Sequence, residues 1–106
     1  MDKKATLLKK LKEFKENLNK RIHINKIIFF GSRARGEPHK DSDIDLLIIS
    51  KDFENKKFRY RAIGFYNDWN LEYAVDFLCY TPEEFNKLKN QVTIVRRAVE
   101  EGIEIK

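Results

Sequence analysis

Ile27-Ile28-Phe29-Phe30-Gly31-Ser32-Arg33-Ala34-Arg35-Gly36, followed six residues later by Asp43-Ile44-Asp45-Leu46-Leu47-Ile48-Ile49, is the stretch that decides the fold. Four apolar residues in a row, closed by Gly31, predict a strand covered on both faces. Residues 44–49 predict a second buried strand. The segment 31–43 between them predicts a loop with one helical turn. In a strand, residues two apart point to the same side, so Asp43 and Asp45 face one way while Ile44 faces the core. Two such carboxylates repel by about 4 kcal/mol at ~4 Å and an effective dielectric near 20. Cations must offset that repulsion, and oxygen-only ligands favour Mg²⁺ or Mn²⁺ over Zn²⁺. Read alone, the pair also fits an exposed strand start.

Working outward, Leu7, Leu11, Phe14 and Leu18 recur at helical spacing and predict a first helix ending near residues 17–20. Phe58, Ala62, Phe65 and Trp69 repeat at i, i+4, i+7 and i+11 and predict a helix over 53–69, weakened by Gly64. Some of its many aromatics are expected to face a partner. Residues 71–80 predict a third strand. Asp76 interrupts its apolar run, where a charge needs a metal, a basic partner or an open cleft; Glu72, of the same parity, competes with it. Thr81-Pro82-Glu83-Glu84 predicts a capping box opening a helix to about Lys89, and another helix runs from about Thr93 to Glu101. Gly102 is expected as the left-handed residue that ends it. Ile103 and Ile105 allow a short edge strand. This order predicts an α/β (α+β) domain, a small mixed sheet with helices packed mainly on one face, spanning residues 1–106 as one unit.

Composition narrows the function. The 106 residues carry a net charge of +5, but residues 1–40 hold 12 Lys and Arg against 4 Asp and Glu, and the remainder holds 10 against 13. A basic half leading into an acidic one suits an anionic ligand held beside carboxylates, a basic arm on nucleic acid, or simply a solvated lysine-rich helix. No apolar run approaches a membrane span, and lysines after Leu8 break any signal-peptide core. Cys79 is the one cysteine, which excludes an internal disulfide or a cysteine-cluster zinc site and suits a reducing, cytoplasmic compartment.

The loop supplies phosphate-binding groups. Gly31 directly after a strand allows a sharp turn and close approach of a ligand. Ser32 and the turn's N–H groups suit a phosphate oxygen, and Arg33 and Arg35 add cationic forks. The spacing is neither a Walker A loop nor a dinucleotide fingerprint.

Taken together, GSRARGEPHKDSDIDLLI resembles the signature of the minimal nucleotidyltransferases of the polymerase-beta-like superfamily. Gly31, Ser32, Ala34, Gly36, Ser42, Asp43 and Asp45 match its Gly-Ser, small residue, Gly, spacer and Ser-Asp-x-Asp pattern, and Asp76 matches the later strand acid. The resemblance implies a nucleotidyltransferase fold and transfer of a nucleoside monophosphate, AMP from ATP, to an acceptor hydroxyl. It implies that Asp43, Asp45 and Asp76 hold two Mg²⁺ ions, that Asp76 helps deprotonate the acceptor, and that Gly31, Ser32 and Ser42 serve the nucleotide with Arg33 and Arg35. It further implies a helical HEPN-domain toxin as partner, a tyrosine of that toxin as acceptor, and an antitoxin role. The 106 residues are expected to leave no room for the second domain of larger relatives, so that another molecule or a second copy is expected to complete the acceptor side. The alternatives are an antitoxin that acts by binding alone, which has no need of clustered acids, and a nucleic-acid-binding or end-tailing protein, for which an aromatic platform beside the basic residues is lacking.

Overall fold

The computed structural model describes residues 3–36 and 43–106. Ser42, singled out from the sequence, lies outside these residues. The elements run α1 (Lys3–Asn19), β1 (Lys26–Phe30), β2 (Ile44–Ile49), α2 (Phe65–Asp68), β3 (Val75–Tyr80), α3 (Pro82–Leu88), α4 (Ile94–Glu101) and β4 (Ile103–Glu104). They form a four-stranded mixed sheet in the order β3-β2-β1-β4. β1 pairs antiparallel with β2 and β4, and β2 pairs parallel with β3.

Alternation along the strands divides the core in two. Ile27, Phe29, Ile44, Leu46, Ile48, Val75, Phe77 and Cys79 point to one face, where Leu7, Leu11, Phe14 and Leu18 of α1 cover them. This is the larger core. Ile28, Phe30, Leu47 and Ile49 point to the other face, under Phe85 of α3 and Val95 and Ala98 of α4. The long helix and most apolar mass therefore lie on one side, and the two shorter helices cover part of the other. Both inner strands are apolar on both faces, as the runs 27–30 and 44–49 predict.

The capping box forms as expected. Thr81 Oγ1 accepts from the Glu84 N–H at 3.1 Å, and the Thr81 N–H donates to Glu84 Oε1 at 2.8 Å. Thr93 caps α4 by accepting from the Arg96 N–H. The tail adds β4 at the edge of β1, with Ile105 buried and its N–H donating to Ile27 O at 2.8 Å.

Three sequence expectations need correction. The helix over 53–69 is instead two 3-10 turns, 51–53 and 58–60, followed by the four-residue α2. Asn55 and Gly64 adopt φ of 66° and 96°, which no right-handed helix tolerates, so the apolar period spans three short turns. Phe65 is buried and Trp69 half-buried, while Phe58 and Tyr66 are exposed. The third strand starts at Val75 rather than residue 71. Gly102 is extended (φ −85°, ψ 174°) rather than left-handed. Glycine is needed there for space, since a Cβ would collide with Ala98 O and Ile28 Cγ2.

Among the described residues no strand pairs with the outer edge of β3, and such an edge is a template for unwanted pairing. Arg61, from the crossover between β2 and β3, covers part of it. Its Nη1 donates to Cys79 O at 3.1 Å and to Glu84 Oε1 at 2.5 Å, and its Nε donates to Lys56 O. Arg61 is buried, one of few charged groups in the interior among the described residues.

Candidate active site

Gly31 ends β1 with φ 90°, a backbone shape that glycine adopts freely. Arg35 N–H donates to Gly31 O at 3.1 Å, closing the single helical turn expected after the strand. Ala34 explains why a small residue sits in this turn: it is buried in the larger core. Lys4 Nζ, at the start of α1, donates to Ala34 O at 2.8 Å. The turn is thus fastened to the body of the protein.

The carboxylates converge beside it. Asp45 is the register partner of Phe30 on one side and of Asp76 on the other. Register partners on adjacent strands point to the same face, and Asp43 lies two residues before Asp45. All three acids therefore belong to the face of Leu47 and Leu78, at the end of the sheet that α3 and α4 leave open. Gly31 passes so close to Asp45 that a Cβ on Gly31 would strike the Asp45 carboxylate.

Asp43 and Asp76 are exposed and Asp45 is half-buried. Of the settings that the apolar run allows Asp76, the open one is found: its neighbours Val75 and Phe77 face the larger core, and Asp76 itself looks out on the other face. Its place beside Asp45 is what singles it out. Burial raises the Asp45 carboxyl above the ordinary aspartate range, and the negative charges of Asp76 and Asp43 raise it further. Among the described residues, no three His, Cys, Asp or Glu side chains close into a finished ligand set.

Of the arginines, Arg33 lies over the Tyr73 ring, with Cζ 4.4 Å from the centroid. Arg35 faces Glu101 at the end of α4, Nη1 to Oε2 3.6 Å. Both sides of that pair are well exposed, so it holds Arg35 weakly. Tyr73 is the residue that sequence reasoning missed at this site; only its place before β3 could have drawn notice. Cys79 is buried, with its thiol pushed up to about 12 by burial, which leaves it inert.

A mixed sheet with paired acids on adjacent strands beside a glycine-serine turn defines the nucleotidyltransferase fold class. The chain belongs to the nucleotidyltransferase domain family, whose match covers residues 8–105. A Methanocaldococcus jannaschii protein named as a putative protein adenylyltransferase is 31% identical over 67 residues, 61% of this chain and 68% of that one. A Haemophilus influenzae protein named as a probable protein adenylyltransferase is 34% identical over 77 residues, 71% of this chain and 68% of that one. The fold is shared with a solved Sulfolobus solfataricus protein described as a putative nucleotidyltransferase, with TM-score 0.66 and 22% identity, over 95% of this chain and 80% of that chain. No helix among the described residues is long and apolar enough to cross a membrane.

Proposed function

We propose that this nucleotidyltransferase transfers AMP from ATP to a protein hydroxyl, a tyrosine of a HEPN-type helical toxin, and so acts as that toxin's antitoxin in the cytoplasm. One observation carries the chemistry: Asp45 and Asp76 stand opposite each other across parallel strands, with Asp43 on the same face and the Gly31 turn against Asp45. The protein adenylyltransferase names of two relatives support the choice of acceptor.

The donor set fits a hard divalent cation. It is all carboxylate oxygen, and the raised Asp45 carboxyl is a site where added positive charge is favourable. Asp43 and Asp45 would hold two Mg²⁺ ions, with Asp76 completing the second position. Bound there, the ions would stabilise the entering and leaving oxygens of an in-line displacement at the α-phosphorus. Gly31 and Ser32 would cradle the outer phosphates, with Ser42, Arg33 and Arg35 adding hydrogen bonds and positive charge. Asp76, exposed at the edge of the site, would take the proton of the acceptor hydroxyl. The new bond joins that oxygen to the α-phosphorus, and the bond to pyrophosphate breaks.

ATP labelled at the α-phosphate, incubated with Mg²⁺, this protein and the helical partner, tests the reading. Label should appear on a partner tyrosine and vanish with Asp43→Ala. Neutralisation of the toxin that survives Asp43→Ala without label would instead make this a binding antitoxin. Label confined to nucleic-acid ends would replace the protein acceptor altogether.

A further inference from the structure

We infer that Tyr73 is a positioning residue that sets Arg33 against the phosphates of the bound nucleotide; the inference rests on the nucleotide reading of the carboxylate site. Arg33 is carried by the turn that follows β1, on a side chain with many rotamers. Two features of the structure restrict it. The Tyr73 ring lies beneath its guanidinium at 4.4 Å, a separation at which ring and cation attract. Tyr73 is itself held from below: Trp69 Nε1 donates to Tyr73 O at 2.7 Å. The Trp69 indole stands edge-on to Phe14 of α1 at 5.2 Å and to Phe77 of β3 at 6.0 Å. An unbroken line of contacts therefore runs from the larger core through Trp69 and Tyr73 to Arg33.

The direction of this line matters. Tyr73 lies three residues before Asp76, so the segment that delivers one carboxylate of the site also delivers the platform for the arginine. Arg33 lies two residues beyond Gly31, whose backbone abuts the Asp45 carboxylate. A guanidinium that lies over a ring keeps its N–H groups along its rim, from where they can donate to phosphate oxygens. The ring thus removes rotamer freedom in advance of binding, which favours the ligand without touching it.

The test is binding of MgATP, read by calorimetry, to the unaltered protein, Tyr73→Phe, Tyr73→Leu, Arg33→Ala and the Arg33→Ala/Tyr73→Leu double variant. Tyr73→Leu should weaken binding about three- to tenfold, as expected for loss of a partly desolvated ring–cation contact. Tyr73→Phe should stay within about twofold, since the ring and not the hydroxyl does the work. Arg33→Ala should bind weakly, and adding Tyr73→Leu to it should cost nothing more. In turnover, the Leu variant should raise KM for ATP with kcat little changed. Melting curves of all variants separate this role from simple packing. Additive losses in the double variant, a Phe variant as weak as Leu, or unchanged binding by Leu would each overturn the inference while leaving the nucleotide site standing. Failure of the unaltered protein to bind MgATP would overturn both.

Discussion

Asp45 joins the other two acids to the glycine turn. Its strand neighbours are Phe30 and Asp76, its chain neighbour two residues back is Asp43, and Gly31 crosses directly against its carboxylate. Burial, followed by the two neighbouring charges, raises its carboxyl in the folded state. A folded carboxyl that holds its proton more tightly than the unfolded one gives a native state that binds more protons, so stability falls as pH rises. Free of divalent cations, the protein should therefore lose stability as pH climbs from the ordinary aspartate range through the raised value of Asp45. Asp45→Asn should flatten that slope and melt higher at neutral pH. Adding Mg²⁺ should raise the Tm of the unaltered protein and leave that of Asp45→Asn nearly unmoved. Melting curves across pH, with and without Mg²⁺, decide this, and an Asn variant that melts lower at neutral pH would contradict it. At this scale the sequence was informative because the pattern is local: Asp43 and Asp45 share a face by strand parity alone. Asp76 was legible as an acid breaking an apolar run, and of the settings open to it the exposed one is found. Tyr73 was invisible, because its contact with Arg33 exists only once two distant segments meet.

At the scale of elements, the piece hardest to read was the crossover between β2 and β3. Its apolar spacing mimics a helix, yet Asn55 and Gly64 turn the chain the wrong way for one. The same segment hides Arg61, which in the sequence sits among other basic residues and looks like solvated surface. Its burial depends on Glu84, whose place on α3 follows from a capping box that was legible. The Arg61 hydrogen bond is the main force that lowers the Glu84 carboxyl below the ordinary range. A depressed folded value means that the contribution is present above the ordinary glutamate range and is lost as pH falls through the lowered one. Arg61→Ala should cost roughly 1.5–3 kcal/mol, the worth of charged hydrogen bonds to a partly exposed partner. Glu84→Gln should cost less and remove that acid dependence. Denaturant unfolding at neutral and acid pH checks both, and an Arg61→Ala protein as stable as the parent would show the edge cover to be idle. The loss should also favour association through the uncovered β3 edge, visible by light scattering.

For the whole molecule, the sheet closes through its last residues. β4 pairs with β1, Ile105 is buried in the larger core, and Lys15 Nζ of α1 donates to Ile105 O at 2.9 Å. The tail therefore joins strand, core and first helix. Deleting residues 102–106 removes a buried isoleucine, worth about 1.5–3 kcal/mol, and bares β1. Tm should fall by at least about 4–8 °C, and an unchanged melting point would show that the tail only rests on the sheet. The overall architecture was largely legible, since apolar runs, caps and the edge strand all report local physics. The division of the helices between two faces was not, because it depends on which strand ends up beside which.

The parallel pairing of β2 with β3 has a consequence for how the molecule assembles. β1 can zip onto β2 across a modest loop, but β3 reaches Asp45 only after the chain has travelled the length of the sheet and back. Closing that long excursion carries an entropic toll and slows pairing. The acid pair is then a latecomer on the folding route: a chain can own its glycine turn and its first two aspartates before Asp76 comes to lie opposite Asp45.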